Sequence, residues 1–224
     1  MIDEALPVLN ALDIPCTIFV NFAPLRGRIF WRHKVQYIVA NGLEKECETA
    51  MRNLRKIPGR SFYRNLKHPA NHSRCVEEDL DGFLRSRDIE LEHSHHLFDS
   101  DCYFIDHPLV YYGNHTYNHY VLSSLSYREQ YEEIGSAKEC LSRIPNIKIS
   151  NVFSLPFGES EHLNSETFGV LREVGYSSMV MNRGGLSWGV GTAHGVRVLE
   201  RFTPTADRIE MQLKRQFVRG PRRG

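Results

Sequence analysis

Long apolar runs, paired cysteines and a large excess of charge are all missing from this sequence. No apolar stretch approaches the roughly 20 residues that a membrane-spanning helix needs, so a helical membrane span is excluded. The five cysteines are odd in number, widely spaced and without a C-x-x-C pair, which argues against a disulfide framework or a cysteine-based zinc site. The 224 residues include 12 Phe, 10 Tyr and 2 Trp, which is enough for a globular core.

The two ends of the chain indicate little about targeting or partners. The N-terminal sequence MIDEALPVLN is acidic and lacks the basic start of a signal peptide, so we expect a cytoplasmic protein if Met1 is the true start. The segment from Arg197 onward contains eight basic and three acidic residues. A basic end can bind nucleic acid, but no aromatic residues alternate with these charges. We therefore expect a solvated helix end and tail, and no nucleic-acid partner.

Strand-like and helix-like segments alternate along much of the chain. The β-branched and aromatic runs that predict strands lie at residues 16–20, 109–112, 147–156, 176–181 and 195–202. The periodic segments that predict helices lie at residues 5–12, 126–143, 164–174 and 205–217. Ser126 and Glu129 have the spacing of a capping box, and Gly175 is typical of a helix end. Repeated strand–helix units predict an α/β architecture, either an open sheet or a barrel.

Residues 26–105 interrupt this alternation. They contain helical patterns at Trp31–Ala40, Leu43–Leu54 and Val76–Leu84, with much charge and little strand signal. We interpret the stretch as a helical insertion after an early strand, or as a small subdomain over one end of the sheet, within a single domain that covers residues 1–224. Insertions of this kind commonly border the active site of an α/β protein.

Two histidines, His115 and His119, directly follow the strand predicted at residues 109–112. Imidazoles four residues apart can bind one metal ion if the backbone turns helical there. The spacing alone is a weak signal, because the chain contains 11 histidines. A second polar group, which we interpret as a loop without a designed metal site, consists of His93, His95, His96, Asp99, Asp101, Asp106 and His107.

Three blocks in the right order resemble the polysaccharide deacetylases, the NodB-like carbohydrate esterase family. NHTYNH at residues 114–119 resembles the metal-binding H-[ST]-x-x-H motif of that family. ALPVLNALDIPCTIFV at residues 5–20 resembles its first helix and second strand, and FSLPFG at residues 153–158 resembles its substrate-site loop. The resemblance covers most of the chain outside the predicted insertion.

The resemblance implies a distorted (β/α) barrel with fewer than eight strands. It also implies hydrolysis of N-acetyl, or occasionally O-acetyl, groups on an amino-sugar glycan. By the same resemblance His115 and His119 hold a divalent metal, with zinc expected first and cobalt, nickel or iron as alternatives. Pro156, Phe157 and Gly158 form the wall beside the acetyl group, and the Phe157 N–H donates to the oxyanion. The Thr116 hydroxyl orients the histidine loop.

The sequence departs from the family at its first motif. An F-D-D-G strand end supplies the catalytic base and the third metal ligand in relatives, but the first matching block begins at Ala5, where no room for that motif remains. We therefore assign no catalytic residue. Two accounts stay open: a truncated chain of an active deacetylase, which we prefer, and a non-catalytic relative that binds glycan. Ser154 stands where many relatives carry Arg, and neither His162 nor His194 has the sequence context of the family's general acid.

Overall fold

A computed structural model describes residues 2–91, 104–182, 191–201 and 203, with side chains from Glu4 onward. The strands, in chain order, are β1 (Cys16–Val20), β2 (Val110–Asn114), β3 (Lys148–Ser154), β4 (Ser178–Met181), β5 (Gly191–Ala193) and β6 (Val196–Glu200). They form one six-stranded sheet in the order β1-β2-β3-β4-β6-β5. All neighbouring pairs are parallel except β5 and β6.

The sheet agrees with most of the strand predictions. Strand β1 has the predicted bounds, and β2 extends two residues beyond Tyr112. Strand β5 was not predicted, because Gly191–Ala193 is too short and too polar to show a strand pattern. The helix predicted at residues 205–217 lies outside the described residues, as do His93, Asp101 and the positions between them.

Eight α-helices accompany the sheet in the described residues. They are α1 (Ile2–Ala11), α2 (Phe22–Leu25), α3 (Trp31–Ala40), α4 (Glu44–Ala50), α5 (Phe62–Leu66), α6 (Ser73–Ser86), α7 (Tyr127–Ser142) and α8 (Ser165–Val174). Helices α2–α6 lie between β1 and β2, and the described residues of that connection form no strand. None of the eight helices has both the length and the apolar character that crossing a bilayer requires.

Local signals set the ends of α7 and α8. The Ser126 hydroxyl accepts a hydrogen bond from the Glu129 N–H, and the Glu129 carboxylate accepts one from the Ser126 N–H, which confirms the predicted capping box. Helix α8 begins after Asn164, whose side chain accepts from the Thr167 N–H. It ends at Gly175, which has a φ of 91° that favours glycine.

The helices between β1 and β2 share one apolar core with the sheet. Ile38, Leu66 and Leu80 from those helices pack in the same buried cluster as Phe153 of β3 and Met179 of β4. Burial of this surface is the main force that holds the helices against the sheet. The assignment of residues 26–105 as an insertion within a single domain stays a prediction.

The α/β architecture is confirmed, with a mostly parallel sheet that is compatible with the implied fold. Strands β1 and β5 lie at the two ends of the strand order, and no pairing between described residues joins them. Closure into a barrel therefore stays a prediction. In open parallel sheets, ligands bind beyond the carboxyl ends of the strands, and His115, His119 and the loop at residues 156–158 follow such strand ends.

Replacing Ser126 with Ala should lower the free energy of unfolding by about 1 kcal/mol, because the Glu129 N–H loses its acceptor. Ser142→Ala is the matched control at the other end of α7, and we expect a change of less than about 0.5 kcal/mol there. Urea unfolding followed by circular dichroism measures both. Equal losses in the two variants would contradict the assigned cap.

Candidate metal and substrate site

Three chain segments meet at the carboxyl edge of the sheet. Asn114, the last residue of β2, pairs in register with Val20 of β1 and with Phe153 of β3. The residues that follow these strand ends therefore come together although they are far apart in sequence. This register places the loop that begins at His115 beside the loop that contains Phe157.

The two predicted metal ligands contact each other through their rings. The imidazole centroids of His115 and His119 lie 4.7 Å apart, and the ring planes are nearly perpendicular, at 85°. The loop between them is not helical. Thr116 and His119 have φ values of 65° and 62°, and these two left-handed residues fold the chain back so that the rings meet.

The side chain of Asn114 stabilises this unusual backbone. Its amide Nδ2 donates to the Ile134 carbonyl at 2.8 Å and to the Tyr176 hydroxyl at 3.0 Å. Its Oδ1 accepts from the Thr116 N–H at 2.8 Å. The side chain is fully buried, so each of these bonds replaces one that water would otherwise make.

Further hydrogen bonds hold both sides of the loop. The His119 N–H donates to the Thr116 hydroxyl at 2.9 Å. Asn21, the residue after β1, donates from Nδ2 to the carbonyls of His115 and Thr116. The Trp31 indole N–H donates to the His119 carbonyl at 3.3 Å. The loop therefore has its shape before any ligand arrives.

Helix α7 contributes a buried carboxylate to the same loop. Glu133 accepts from the Asn118 N–H at 2.8 Å and from the Asn118 side chain at 2.5 Å. Burial raises the pKa of the Glu133 carboxyl, while the bonds from Asn118 act in the opposite direction. Sequence reasoning missed Glu133, Asn21 and Trp31. For Asn21 the sequence offers one signal, because a polar residue directly after a buried strand often lies at a site. Glu133 and Trp31 lie within helices, where the sequence shows no such signal.

The protonation of the imidazoles follows from their surroundings. The His115 Nδ1–H donates to the Ser154 carbonyl at 2.8 Å, which leaves Nε2 with a lone pair. Burial lowers the pKa of His115 to about 4, and burial together with the charges of His115 and Arg32 lowers the pKa of His119 well below its ordinary value. Both rings are therefore neutral at pH 7, which is the form that binds metal.

The two histidines fit part of a divalent-metal site. His119 Nδ1 is buried without a hydrogen-bond partner among the described residues, as a nitrogen that awaits a ligand would be. Neutral imidazoles suit zinc, cobalt, nickel or iron. No described carboxylate or thiol joins these two rings in a group of three ligand atoms close enough to hold one ion. A third, anionic ligand is therefore lacking in the described residues.

The predicted substrate loop lies against this pair. A turn centred on Phe157, with a φ of 62°, brings the Gly158 N–H within 2.7 Å of the Pro156 carbonyl. The Phe157 ring lies 4.7 Å from the His119 ring. Gly158 is required by close packing, because a Cβ there would lie 2.4 Å from the backbone nitrogen of Asn182. The Phe157 N–H makes no hydrogen bond with another described residue.

A second group of possible ligands lies just beyond the loop. The ligand atoms of Glu159, Glu161 and His162 lie within 4.8 Å of one another. Arg60 forms two bonds of 3.1 Å to the Glu161 carboxylate, and Lys67 lies 3.7 Å from the Glu159 carboxylate. These basic partners compete with a metal ion for both carboxylates.

The histidine of this group is oriented against metal binding. The Glu159 N–H donates to His162 Nδ1 at 3.3 Å, so the proton of the neutral ring lies on Nε2. Burial lowers the pKa of His162 to about 4. Its ring packs against Phe157 with centroids 5.1 Å apart, so the structure places it behind the substrate loop.

His194 lies at the other edge of the sheet. It is in the turn between β5 and β6, packed 5.0 Å from the Phe168 ring. Strand β6 runs parallel to β4, so its amino end lies opposite the edge that carries His115. This position removes His194 from the candidates for the general acid.

Comparisons with known proteins support the resemblance in the part of the chain that contains both histidines and the substrate loop. Residues 106–179 match the family model described as polysaccharide deacetylase. This range includes β2, both histidines, α7, β3 and the substrate loop. The match confirms the polysaccharide deacetylase family as the one the chain resembles. Searches of curated proteins and of solved structures found no significant match.

Acid should destabilise the fold between about pH 6.5 and pH 4. His115, His119 and His162 have lowered pKa values in the folded chain, so the unfolded chain binds more protons in this window and stability falls as the pH falls. His115 and His162, whose pKa values fall to about 4, each contribute on the order of 2–3 kcal/mol to this loss, and His119 acts in the same direction. Urea unfolding at about pH 7 and pH 4.5 measures it.

The same pair of pH values provides the control. His162→Gln should reduce the loss by the share of that one histidine, whereas the exposed position in His194→Gln makes that variant the control. An unfolding free energy that is constant across the window would contradict the buried neutral state of these rings.

Proposed function

We propose that this protein is a metal-dependent hydrolase that removes N-acetyl or O-acetyl groups from an amino-sugar polysaccharide or oligosaccharide. The family match suggests a deacetylase-type hydrolase and an acetylated carbohydrate substrate. The observation that carries the proposal is the contact between two neutral imidazoles, His119 buried and His115 half-buried, at the carboxyl edge of the sheet beside the Phe157 loop.

Each site residue has a role in this reaction. His115 and His119 would hold the metal, zinc first, and the Ser154 carbonyl keeps His115 in the ligating tautomer. A divalent metal bound there polarises the acetyl carbonyl and lowers the pKa of a coordinated water. The Phe157 N–H donates a hydrogen bond to the oxyanion that develops on the acetyl group. Pro156 and Gly158 fix the turn that presents this N–H.

The reaction also needs a carboxylate, as third ligand and as base. Arg32 and Arg201 place positive charge near the imidazoles, which opposes a divalent cation unless an anion is added. The carboxylate therefore belongs to a residue that is not among the described neighbours of His115 and His119.

The free edge of β1 is where we propose that such a group enters. A cavity of about 350 Å³ lies between α1 and this edge, and it is lined by four consecutive residues of β1, by three of α1, and by Ile105, Val110, His115 and Arg201. Side chains alternate between the two faces of a strand. A cavity lined by four consecutive residues therefore lies along the edge of the strand and not on one face. An F-D-D-G strand paired there would bring its carboxylates beside His115.

One alternative function has a specific observation in its favour. Because no described carboxylate completes a three-ligand group with the two imidazoles, the chain could bind acetylated glycan without hydrolysing it. The substrate loop and the site wall would be used in both cases. Metal binding and acetate release separate the two functions.

Zinc binding is the first test. With an engineered N-terminal extension that carries an F-D-D-G strand, we expect one zinc per chain, bound at least tenfold more tightly than by the chain without the extension, because a carboxylate offsets the two arginines. His115→Ala or His119→Ala should abolish it, and His194→Ala is the control that retains it. Isothermal titration calorimetry and metal analysis after dialysis provide the readout. Retention of zinc in both site variants would contradict the assigned ligands.

Acetate release is the second test. The extended chain should release acetate from N-acetylglucosamine oligomers, and replacing both aspartates of the added motif with asparagine should remove this activity. Calorimetry with the same oligomers measures binding separately. Glycan binding without acetate, across N- and O-acetylated substrates, would favour the non-catalytic alternative.

A further inference from the structure

Helices α3 and α5 place two positive charges beside the substrate loop. The Arg32 guanidinium lies 5.7 Å from the ring centroid of Tyr63 and 5.9 Å from that of Phe157. The Lys67 ammonium lies 5.7 Å and 5.4 Å from the same two centroids. Two cations therefore share two aromatic rings, in the range of favourable cation–π contact. We call these four residues the cationic lip.

The lip is held in place by buried amides behind it. Asn65 of α5 accepts from the Ile57 N–H at 3.0 Å, and Asn71 accepts from the Arg55 N–H at 2.7 Å. Asn71 also donates to the Asn65 carbonyl at 2.7 Å, which joins the two. Asn65 and Asn71 are almost fully buried, so α5 and the lip residues Tyr63 and Lys67 have a fixed position.

The charges of the lip are poorly matched by acids. Among the described residues, Arg32 has no carboxylate within ion-pair distance, although Asp81 and Glu77 pair with Lys34 close by in the fold. Lys67 has Glu159 at 3.7 Å, and that glutamate side chain is 56% exposed. Two like charges held together with so little compensation create a positive potential at the mouth of the site.

A cavity adjoins the lip at Lys67. It has a volume of about 450 Å³ and is lined by Lys67, Arg60, Arg64, Glu159, Ser160 and Glu161. Arg60 is neutralised by its two bonds to Glu161, whereas Lys67 has only the 3.7 Å contact with the exposed carboxylate of Glu159. No described carboxylate forms an ion pair with Arg64, so its charge adds to that of the lip. A volume of this size suits a small ligand such as one or two sugar rings.

We propose that the cationic lip and this cavity bind the anionic groups, carboxylate or sulfate, of an acidic acetylated glycan. This inference rests on the proposed function, because it specifies the substrate class of the same site. The guanidinium of Arg32 matches the planar geometry of a carboxylate or the edge of a sulfate. Tyr63 and Phe157 present apolar ring surface to the sugar between these charges. The residues between β1 and β2 thus select the charge of the glycan.

Calorimetric binding of four probes tests the inference. The probes are a hyaluronan hexasaccharide, which carries carboxylates, a chondroitin sulfate hexasaccharide, which adds sulfates, the neutral N-acetylchitohexaose and a single-stranded DNA hexamer. We expect both acidic glycans to bind at least tenfold more tightly than the neutral one, with a preference that shrinks as salt rises. Comparison of the first two shows which anion the lip prefers.

Variants of the lip provide the second measurement. Arg32→Gln with Lys67→Gln should weaken acidic-glycan binding about tenfold and leave N-acetylchitohexaose within twofold. Arg143→Gln is the control: this residue ends α7 directly before the amino end of β3, at the opposite edge of the sheet, and acidic-glycan binding should not change.

Each other outcome overturns the inference. Equal affinity for neutral and acidic glycans, no glycan binding at all, or equal losses in the lip and control variants contradict a charge-selective site. DNA binding as tight as that of the acidic glycans assigns the surface to nucleic acid instead. The deacetylase proposal is tested separately. It fails if acidic glycans bind but the extended chain releases no acetate. It stands, without the charge-selective site, if acetate is released equally from neutral and acidic glycans.

Discussion

The buried amide of Asn114 is the interaction on which the rest of the site depends. It lies at the end of β2 and bonds at once to the Ile134 carbonyl in α7, to the Tyr176 hydroxyl before β4 and to the Thr116 N–H. These bonds connect the sheet, a helix and the histidine loop at one point. Because an unpaired polar group costs free energy when it is buried, all of them must form together. The left-handed backbone at Thr116 is stable only in that arrangement.

The helices between β1 and β2 are joined to this loop by polar bonds as well as by the core. The Trp31 indole donates to the His119 carbonyl, and the Tyr120 hydroxyl donates to the buried carboxylate of Glu77. Lys34 completes that group, with its ammonium 2.9 Å from Glu77. Buried charges are tolerated only when they are paired in this way, so the helices have one position relative to the imidazoles. Because Arg32 lies in one of these helices and Tyr63 in another, the position of the cationic lip relative to the imidazoles is fixed as well.

The site combines neutral imidazoles, which suit a cation, with a positive surrounding charge, which suits an anion. Desolvation keeps His115 and His119 neutral and ready to bind a cation, while Arg32 and Arg201 make the surroundings positive. A site built for a divalent metal needs an anionic ligand to balance these charges. A site built for an acidic glycan uses the same arginines to attract it. The two requirements are compatible if a carboxylate is added next to the metal and the glycan's anions contact the lip.

Much of the local structure follows from sequence alone. The bounds of β1 and α3, the capping box of α7 and the end of α8 at Gly175 are all set by neighbouring residues, through side-chain periodicity, caps and backbone preference. The order of the three family-like blocks is also a property of the sequence, and the match over residues 106–179 covers the second and third of them in chain order. These signals act over a few residues, which is why they can be detected without a fold.

The arrangement of the site was decided by tertiary structure. Only the register of parallel strands brings the Phe157 ring against His119, and only the packing of α3 and α5 adds Arg32 and Lys67 to that ring. The four-residue spacing of the histidines suggested a helical turn, but hydrogen bonds from residues as distant as Asn21 impose a different backbone. Contacts of this kind join positions dozens of residues apart. Such contacts produce no local pattern in the sequence, so they can be identified only from the tertiary structure.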